Sequence, residues 1–416
     1  MQTWRVETGV KFAVLVLMLF ASVKGRCDGT MKPGLFADDV AFLKQHTDVI
    51  VLADPDSGAR VAVIPGMQAR IMTSSAEGDQ GQSFGWVNYE AVAKKERQPH
   101  INVYGGEDRF WMGPEGGQYS IFFKKGDPFD LEHWQTPEPI DWGPWDVVKK
   151  DETMAEFRKS FSLTNFSGTA LDLQAERTVR LLSRKNIGKL LDCKLADAVK
   201  AVGVESDNRV TNTGKNPWTK EGGLPSIWIL GMFRHSPATT VVIPFKAGPE
   251  AELGKIVNDA YFGKVPADRL KVDEKNGILY FKGDGQCRSK IGIPPARAKD
   301  VAGSYDAEKG VLTVVKFNLP AKPRDYVNSM WEIQKEPYGG DVVNSYNDGP
   351  PAPDKKPLGP FYELESSSPG AALGPGKSIR HVHQTVHMQG PKEELDKIAK
   401  AVLGTGLDTI SSALAK

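Results

Sequence analysis

The chain has 416 residues, of which 53 are basic, 52 are acidic and 40% are hydrophobic. This hydrophobic content excludes a disordered chain and is enough for a large core, in one big β domain or in two ordinary ones. The formal charge of +1 gives no electrostatic footprint for nucleic acid, so we expect no nucleic-acid partner.

The N-terminus has the pattern of a targeting segment. Arg5 and Lys11 precede an apolar run that is too short to span a bilayer comfortably and is typical of a secretory signal. We therefore predict a cleaved signal peptide over residues 1–25, no membrane span in the mature chain, and a periplasmic or secreted location. Cys27 follows, but Arg26 stands where a lipoprotein signal favours a small residue, so a lipid anchor is not favoured.

The remainder of the chain alternates short apolar runs with turn signals. Helical spacing predicts a short helix over 36–46, two runs around a Pro/Asp/Gly turn predict a hairpin over 49–64, and a longer helix is predicted over 189–202. Further strands are predicted at 68–72, 119–123, 157–163, 171–181, 227–232, 239–243, 273–281 and 310–319, with 227–243 forming a second hairpin. This pattern predicts an all-β fold, a large antiparallel β-sandwich.

The predicted sandwich covers residues 26–390, and the character of the chain changes after Gly390. Pro and two acids open a helical pattern at 391, and Gly404 ends it before a second short amphipathic piece. We therefore assign residues 391–416 to a C-terminal helical appendage with a packing role. Two cysteines within the sandwich, Cys193 and Cys287, lack metal-ligand spacing, and both a disulfide and free thiols are compatible with the sequence.

Residues 100–126 form the first stretch that indicates a binding site. Glycines bracket Arg109, Trp111 and Glu115. Glycines let the backbone approach a ligand closely, arginine and carboxylates bond hydroxyl groups, and tryptophan stacks on the apolar face of a sugar ring. We therefore expect these three residues to bind substrate, against the alternative of a tight structural turn with a surface ion pair.

Residues 326–349 form a second candidate rim around a pocket. The segment is polar, aromatic and punctuated by glycine, and it carries Asn344 and Asp348. Amide and carboxylate groups in such a loop are suited to sugar hydroxyls. We include both residues in the predicted substrate-binding set.

The stretch 359–390 carries the strongest signal. Two strand-like runs flank a turn rich in glycine, proline and serine. Period-two alternation places Glu363 and Glu365 on one face of the first run, and His381, His383 and His387 on one face of the second. Titratable groups aligned on strand faces are costly to bury without a purpose, which favours a site; a solvated sheet face is the alternative.

The histidine spacing also permits a metal interpretation. His381 and His383 are roughly 6.6 Å apart along a strand, which one ion can bridge, with Glu365 or another strand as a further ligand. We predict no cofactor and retain a metal at these histidines as the alternative.

This closing segment resembles that of the aldose 1-epimerases, or galactose mutarotases. In that family a Leu-Glu dipeptide precedes a loop, an L-x-P-G turn and a final strand. Here Leu364 and Glu365 precede a loop, the turn 373–376 and a strand that holds His381. The chain looks closer still to an uncharacterised secreted branch of the galactose mutarotase-like fold.

The resemblance covers about residues 47–390, because the glycine-rich stretch with Arg109 and the run 210–214 fall in matching order. It implies a β-supersandwich, a carbohydrate partner, Glu365 as the general base and Arg109 as a sugar-binding residue. The sequence departs from the family at 222–228, which contains no histidine where the family carries its general acid.

The sequence thus predicts a carbohydrate-active protein that binds a saccharide on a concave sheet, with epimerase-like acid/base catalysis. Glu365 is the candidate base, and His381 or His383 is the candidate acid. Because the family histidine is missing, a non-catalytic carbohydrate-binding protein is the first alternative. A polysaccharide lyase or hydrolase on the same fold is the second.

Overall fold

Two facing antiparallel sheets and a smaller third sheet make up most of the computed structural model, which describes residues 34–94, 96–351 and 354–415. The predicted signal peptide and Cys27 lie outside the described residues. The all-β prediction is confirmed: every strand pair within the sheets is antiparallel, and the helices are short. Among the described residues, no helix is both long and apolar enough to cross a membrane.

In each of the three sheets, every strand named below pairs with the next. The three-stranded sheet contains β1 (Ile50–Ala53), β2 (Arg60–Ile64) and β3 (Arg70–Ser75). The five-stranded sheet contains β13 (Ser289–Ile293), β16 (Val343–Asn347), β17 (Phe361–Ser367), β9 (Ser226–Arg234) and β4 (Arg109–Gly113). The ten-stranded sheet contains β11 (Leu270–Asp273), β12 (Ile278–Lys282), β10 (Thr239–Pro244), β14 (Val301–Asp306), β15 (Val311–Phe317), β18 (Ser378–Gln389), β8 (Lys200–Asn212), β7 (Ala170–Leu182), β6 (Met154–Thr164) and β5 (Asp146–Lys150).

The helices lie at the ends and outer surfaces of these sheets. They are α1 (Phe36–His46), α2 (Tyr89–Ala93), α3 (Glu138–Asp141), α4 (Arg184–Leu191), α5 (Glu250–Leu253), α6 (Lys392–Leu403) and α7 (Leu407–Ser412), with a 3₁₀ turn at Gly78–Gln80. Helix α6 ends at Gly404, whose φ of +75° suits glycine. Leu395 and Leu403 of α6 and Ile410 of α7 are buried against the ten-stranded sheet.

The hydrophobic core between the two large sheets follows from strand alternation. In β17, Tyr362 and Leu364 pack against apolar side chains of β10 and β12, and Ser366 faces β18. The intervening Glu363 and Glu365 therefore point to the other side of the five-stranded sheet. Strand β17 thus separates an apolar interior from the surface that carries its carboxyl groups.

Four predictions about local structure are wrong. The apolar run 119–123 is a loop, and the nearby strand is β4. The side chains of Ile121, Phe122 and Phe123 are buried in the core, although their backbone is not part of a β-sheet. Strands β9 and β10 do not form a hairpin, since the short connection between them crosses from one large sheet to the other. A pattern of two apolar runs around a turn does not distinguish these two connections.

The other two errors concern where one element ends and the next begins. The helix predicted over 189–202 starts earlier, at Arg184, and ends at Leu191, because Asp192 adopts a left-handed conformation (φ 49°). The single strand predicted over 273–281 is the hairpin of β11 and β12. The helix α1, the hairpin of β1 and β2, and the strands at β6, β7 and β15 lie where predicted. Neither of the two cysteines in the described chain, Cys193 and Cys287, forms a disulfide.

Candidate functional site

A cavity of about 530 Å³ lies on the outer side of the five-stranded sheet. Its walls are rich in aromatic rings: Trp111, Trp134, Trp228, Trp331, Phe262 and Tyr346. Among its polar lining groups are Arg109, Glu115, Arg288, Lys290, Asp348 and Glu363. Aromatic walls with a few fixed polar groups are the usual composition of a small-molecule site.

Strand register assembles the charged centre of this cavity. Glu363 lies opposite Tyr346 and Met232, and Glu365 lies opposite Asn344 and Leu230. Arg109 of β4 and Lys290 of β13 enter from the two edges of the sheet, and each bonds a carboxylate on a diagonal of the strand lattice. Two contacts between a cation and a glutamate carboxyl group therefore lie side by side on β17.

The Glu365 carboxylate is held by two donors. Its Oε2 accepts hydrogen bonds from Trp228 Nε1 at 2.9 Å and from Lys290 Nζ at 3.1 Å, and its side chain is fully buried. Its Oε1 has no hydrogen-bond partner among the described residues. Burial lowers the pKa of the Lys290 ammonium, but Glu365 and Glu115 outweigh this effect, so the pKa is raised overall. These contacts favour a charged Lys290–Glu365 pair.

The Glu363 carboxyl has a different environment. Arg109 Nη2 donates to its Oε1 at 2.5 Å, and the Arg109 guanidinium lies 5.0 Å from the centre of the Trp111 ring. Burial raises the pKa of Glu363 to about 8; Arg109 opposes the shift and the neighbouring Glu365 adds to it. One carboxyl with raised proton affinity beside a lysine-paired carboxylate is an arrangement suited to acid/base work.

Two other predicted binding residues, Glu115 and Asp348, lie at the cavity. Glu115 lies at the cavity wall, where burial raises its pKa, Lys290 lowers it and Glu365 raises it further. Asp348 lines the cavity and accepts bonds from Tyr346 Oη and the Gly359 amide, both at 2.7 Å. The structure thus brings Arg109, Trp111, Glu115 and Asp348 together with Glu363.

Asn344 lies behind this group, in a small polar space next to Lys290. Its Nδ2 donates to Tyr261 Oη at 3.1 Å, and Tyr261 in turn donates to Asp341 Oδ2 at 2.5 Å. Burial raises the pKa of Asp341 to about 6, although the bond from Tyr261 lowers it. Asn344 therefore supports the cavity wall rather than lining the main cavity.

The structure does not bring His381 and His383 to the cavity. Strand β18 belongs to the ten-stranded sheet, and both imidazoles point into the layer between the sheets, where each lies 2.8 Å from Ser366 Oγ. Burial lowers the pKa of His381 to about 3, with His383 adding to the shift, and lowers that of His383 to about 4. They lie on the opposite side of β17 from Glu365, so the acid role predicted for them needs another group.

The buried position also bears on the metal alternative. His381 and His383 share the Ser366 hydroxyl, and no third ligand faces them: in the described chain, no group of three or more His, Cys, Asp or Glu side chains is arranged to hold an ion. His387 lies farther along β18, where its ring contacts Thr313 Oγ1 at 2.9 Å and Glu107 Oε2 at 3.3 Å. The histidine row is an interior polar network.

Among the site residues that sequence reasoning missed are Lys290, Arg288 and Trp228. Arg288 and Lys290 are two positions apart, at the start of the apolar run of β13. A lysine inside an apolar run indicates a buried ion pair, and the sequence alone shows this lysine. Trp228 lies in the run that lacks the family histidine, and its indole N–H contacts Glu365 instead.

Fold and site together define a two-layered antiparallel β protein with an aromatic cavity around paired buried charges. The sequence model of a family of unknown function (DUF6786) matches residues 34–414, so the chain belongs to this family. No curated protein matches the sequence.

Several solved structures resemble the chain. A protein from Synechocystis sp. PCC 6803 is 14% identical, with 83% of this chain and 96% of that chain covered and a TM-score of 0.46. A galactose mutarotase-like protein from Lactobacillus casei ATCC 334 is 11% identical (82% and 100% covered, TM-score 0.46). Another from Clostridium acetobutylicum is 13% identical (83% and 100% covered, TM-score 0.43).

Proposed function

We propose that the protein binds a saccharide in the cavity on the five-stranded sheet and transfers protons at its anomeric centre. The observation that carries the proposal is the pair Glu363 and Glu365, adjacent on one strand face but in different environments, beside a cavity lined by tryptophans. Tryptophan faces stack on the apolar face of a sugar ring, and the charged groups bond its hydroxyls.

The two carboxyl groups divide the proton transfers between them. Glu365 takes the proton of the anomeric hydroxyl, and the C1–ring oxygen bond breaks as Glu363 delivers a proton to the ring oxygen. Rotation of the resulting aldehyde and the reverse transfers close the ring as the other anomer, and both carboxyl groups return to their starting states. Lys290 and Trp228 hold Glu365 in place. Arg109 holds Glu363 and narrows its range of orientations.

Anomer exchange is the assay for this proposal. Freshly dissolved α-D-glucose and α-D-galactose are followed by polarimetry and by exchange NMR, with the purified protein in catalytic amounts. We expect Glu365→Gln to lower the protein-dependent rate by roughly 100-fold or more, the usual cost of losing a general base. Glu176→Gln, on the outer surface of the ten-stranded sheet, is the control and retains the rate. A Glu365→Gln protein that is folded by circular dichroism and fully active refutes the mechanism.

A non-catalytic sugar-binding protein is the second candidate function, and one observation favours it. The side chain of Glu365 is fully buried behind Trp228 and Lys290, whereas that of Glu363 retains 7% exposure. A base must come within hydrogen-bond reach of the proton it removes. Saturable sugar binding by calorimetry, without any change in anomer exchange, selects this second candidate.

A further inference from the structure

Arg288 lies on the wall of the cavity and forms no ion pair within the described part of the chain. Its guanidinium carbon lies 4.1 Å from the centre of the Phe262 ring, which holds it in place by a cation–π contact. Its Nε is buried and has no hydrogen-bond partner, and it forms no ion pair with any described carboxylate. A buried donor without a partner is costly, so a bound group that accepts from it gains free energy.

Three acidic groups around the cavity are already engaged, and burial raises the pKa of the fourth, Glu115, although Lys290 and Arg288 lower it. Glu363 accepts from Arg109, and Glu365 accepts from Lys290 and Trp228. Asp348 is near enough for Arg288 to lower its pKa, against the larger raising effect of burial, yet its two oxygens accept from Tyr346 and the Gly359 amide. The guanidinium of Arg288 therefore keeps its donors for a ligand.

Two further cations stand at the mouth of the cavity. Lys355 and Lys356 line its rim and are exposed, and neither is in an ion pair within the part of the chain that the structure describes. Inside the cavity, Arg109 and Lys290 each contact a glutamate carboxyl group. Lys356 also lies near Glu90, which pairs with Lys94. The charged side chains that line the entrance are positive, which attracts an anionic ligand and orients it as it enters.

We propose that the saccharide bound by this cavity carries an anionic substituent, a carboxylate, sulfate or phosphate, which the Arg288 guanidinium binds beside the Phe262 ring. A planar guanidinium offers paired donors that match the oxygens of these groups. This inference rests on the proposed function, because it names the substrate class of the same site.

Matched ligands that differ only in the charged group test the inference. Isothermal titration calorimetry on the purified protein compares D-glucuronate, D-galacturonate, D-glucose 6-sulfate and D-glucose 6-phosphate with D-glucose and D-galactose. We expect at least one anionic sugar to bind about tenfold or more tightly than its neutral parent, and its affinity to fall when NaCl is raised from 50 to 200 mM. The ligand with the largest preference identifies which anionic group is recognised.

Arg288→Met is the diagnostic variant, and Arg209→Met, exposed on the outer surface of the ten-stranded sheet, is its matched control. We expect Arg288→Met to reduce the anion preference to within twofold, and the control to preserve it. Neutral and anionic sugars that bind equally, or a preference that survives in Arg288→Met, overturn this inference and leave the proposed saccharide site standing. Failure of every sugar to bind overturns both.

Discussion

The buried pair of Lys290 and Glu365 gives the most direct measurement of the charged centre. Lys290→Met keeps most of the volume and apolar stem of the side chain but removes the ammonium, so the Glu365 carboxylate is left with Trp228 as its only donor. The charges are 3.1 Å apart, and their side chains are 9% and 0% exposed. At this separation the attraction is about 5 kcal/mol for an effective dielectric constant of about 20.

We therefore expect Lys290→Met to lower the free energy of unfolding by about 3–5 kcal/mol, the usual range when one partner of a buried pair is removed. The double variant Lys290→Met/Glu365→Gln has no uncompensated charge, and its amide oxygen still accepts from the Trp228 N–H. It should return to within about 2 kcal/mol of the wild type, because a neutral pair avoids the desolvation of a lone charge.

Urea unfolding at pH 7, followed by far-UV circular dichroism, measures these differences. The control is Lys316→Met: Lys316 pairs with Asp300 at 3.2 Å, but the two side chains are 24% and 52% exposed. Such a pair contributes about 0–1 kcal/mol. If Lys290→Met loses no more stability than Lys316→Met, or if the double variant is less stable than Lys290→Met alone, the argument for a buried ion pair fails.

Two further predictions concern pH. The folded-state pKa of Glu363 is raised from 4.5 to about 8. Its contribution to stability is therefore fully present below pH 4.5 and is lost as the pH rises toward 8, by roughly 1.4 kcal/mol per pH unit. Glu363→Gln should flatten this slope in urea titrations between pH 5 and 8, and an unchanged slope contradicts the raised pKa. Burial lowers the pKa of His381 from 6.5 to about 3 and that of His383 to about 4. Their contribution to stability is therefore present above pH 6.5 and is lost as the pH falls toward 4. In thermal unfolding between pH 7 and 4.5, His381→Gln should lose less stability with falling pH than the wild type, and a variant that behaves like the wild type rules out a buried neutral imidazole.

Strand alternation predicted which side chains share a face, but it did not predict which sheet each strand joins. Glu363 and Glu365 do share one face, and so do His381 and His383. The ten-residue connection between these strands, 368–377, is compatible with both a hairpin and a crossover. Because β17 and β18 belong to facing sheets, the two predicted halves of the site lie on opposite sides of β17.

The rest of the site depends on contacts between distant parts of the chain. Arg109 meets Glu363 across 254 positions, and Lys290 meets Glu365 across 75. Nothing local in β4 or β13 specifies those partners, since they are set by the strand order of the five-stranded sheet. The composition of the sequence therefore predicted the chemistry of the cavity, while the fold determined the pairing.

The register of β17 explains why this strand separates two kinds of polar network. Its alternate residues Tyr362, Leu364 and Ser366 face the interior, and a shift by one residue would move the two glutamates into that interior. The histidines of β18 are stable there because they are neutral and Ser366 lies within hydrogen-bond reach of both. Glu363 and Glu365 instead contact the cations Arg109 and Lys290 on the cavity side. Burying titratable groups costs free energy that apolar side chains would not cost, and such groups concentrate at binding and catalytic sites. We therefore place the function on the cavity side of β17.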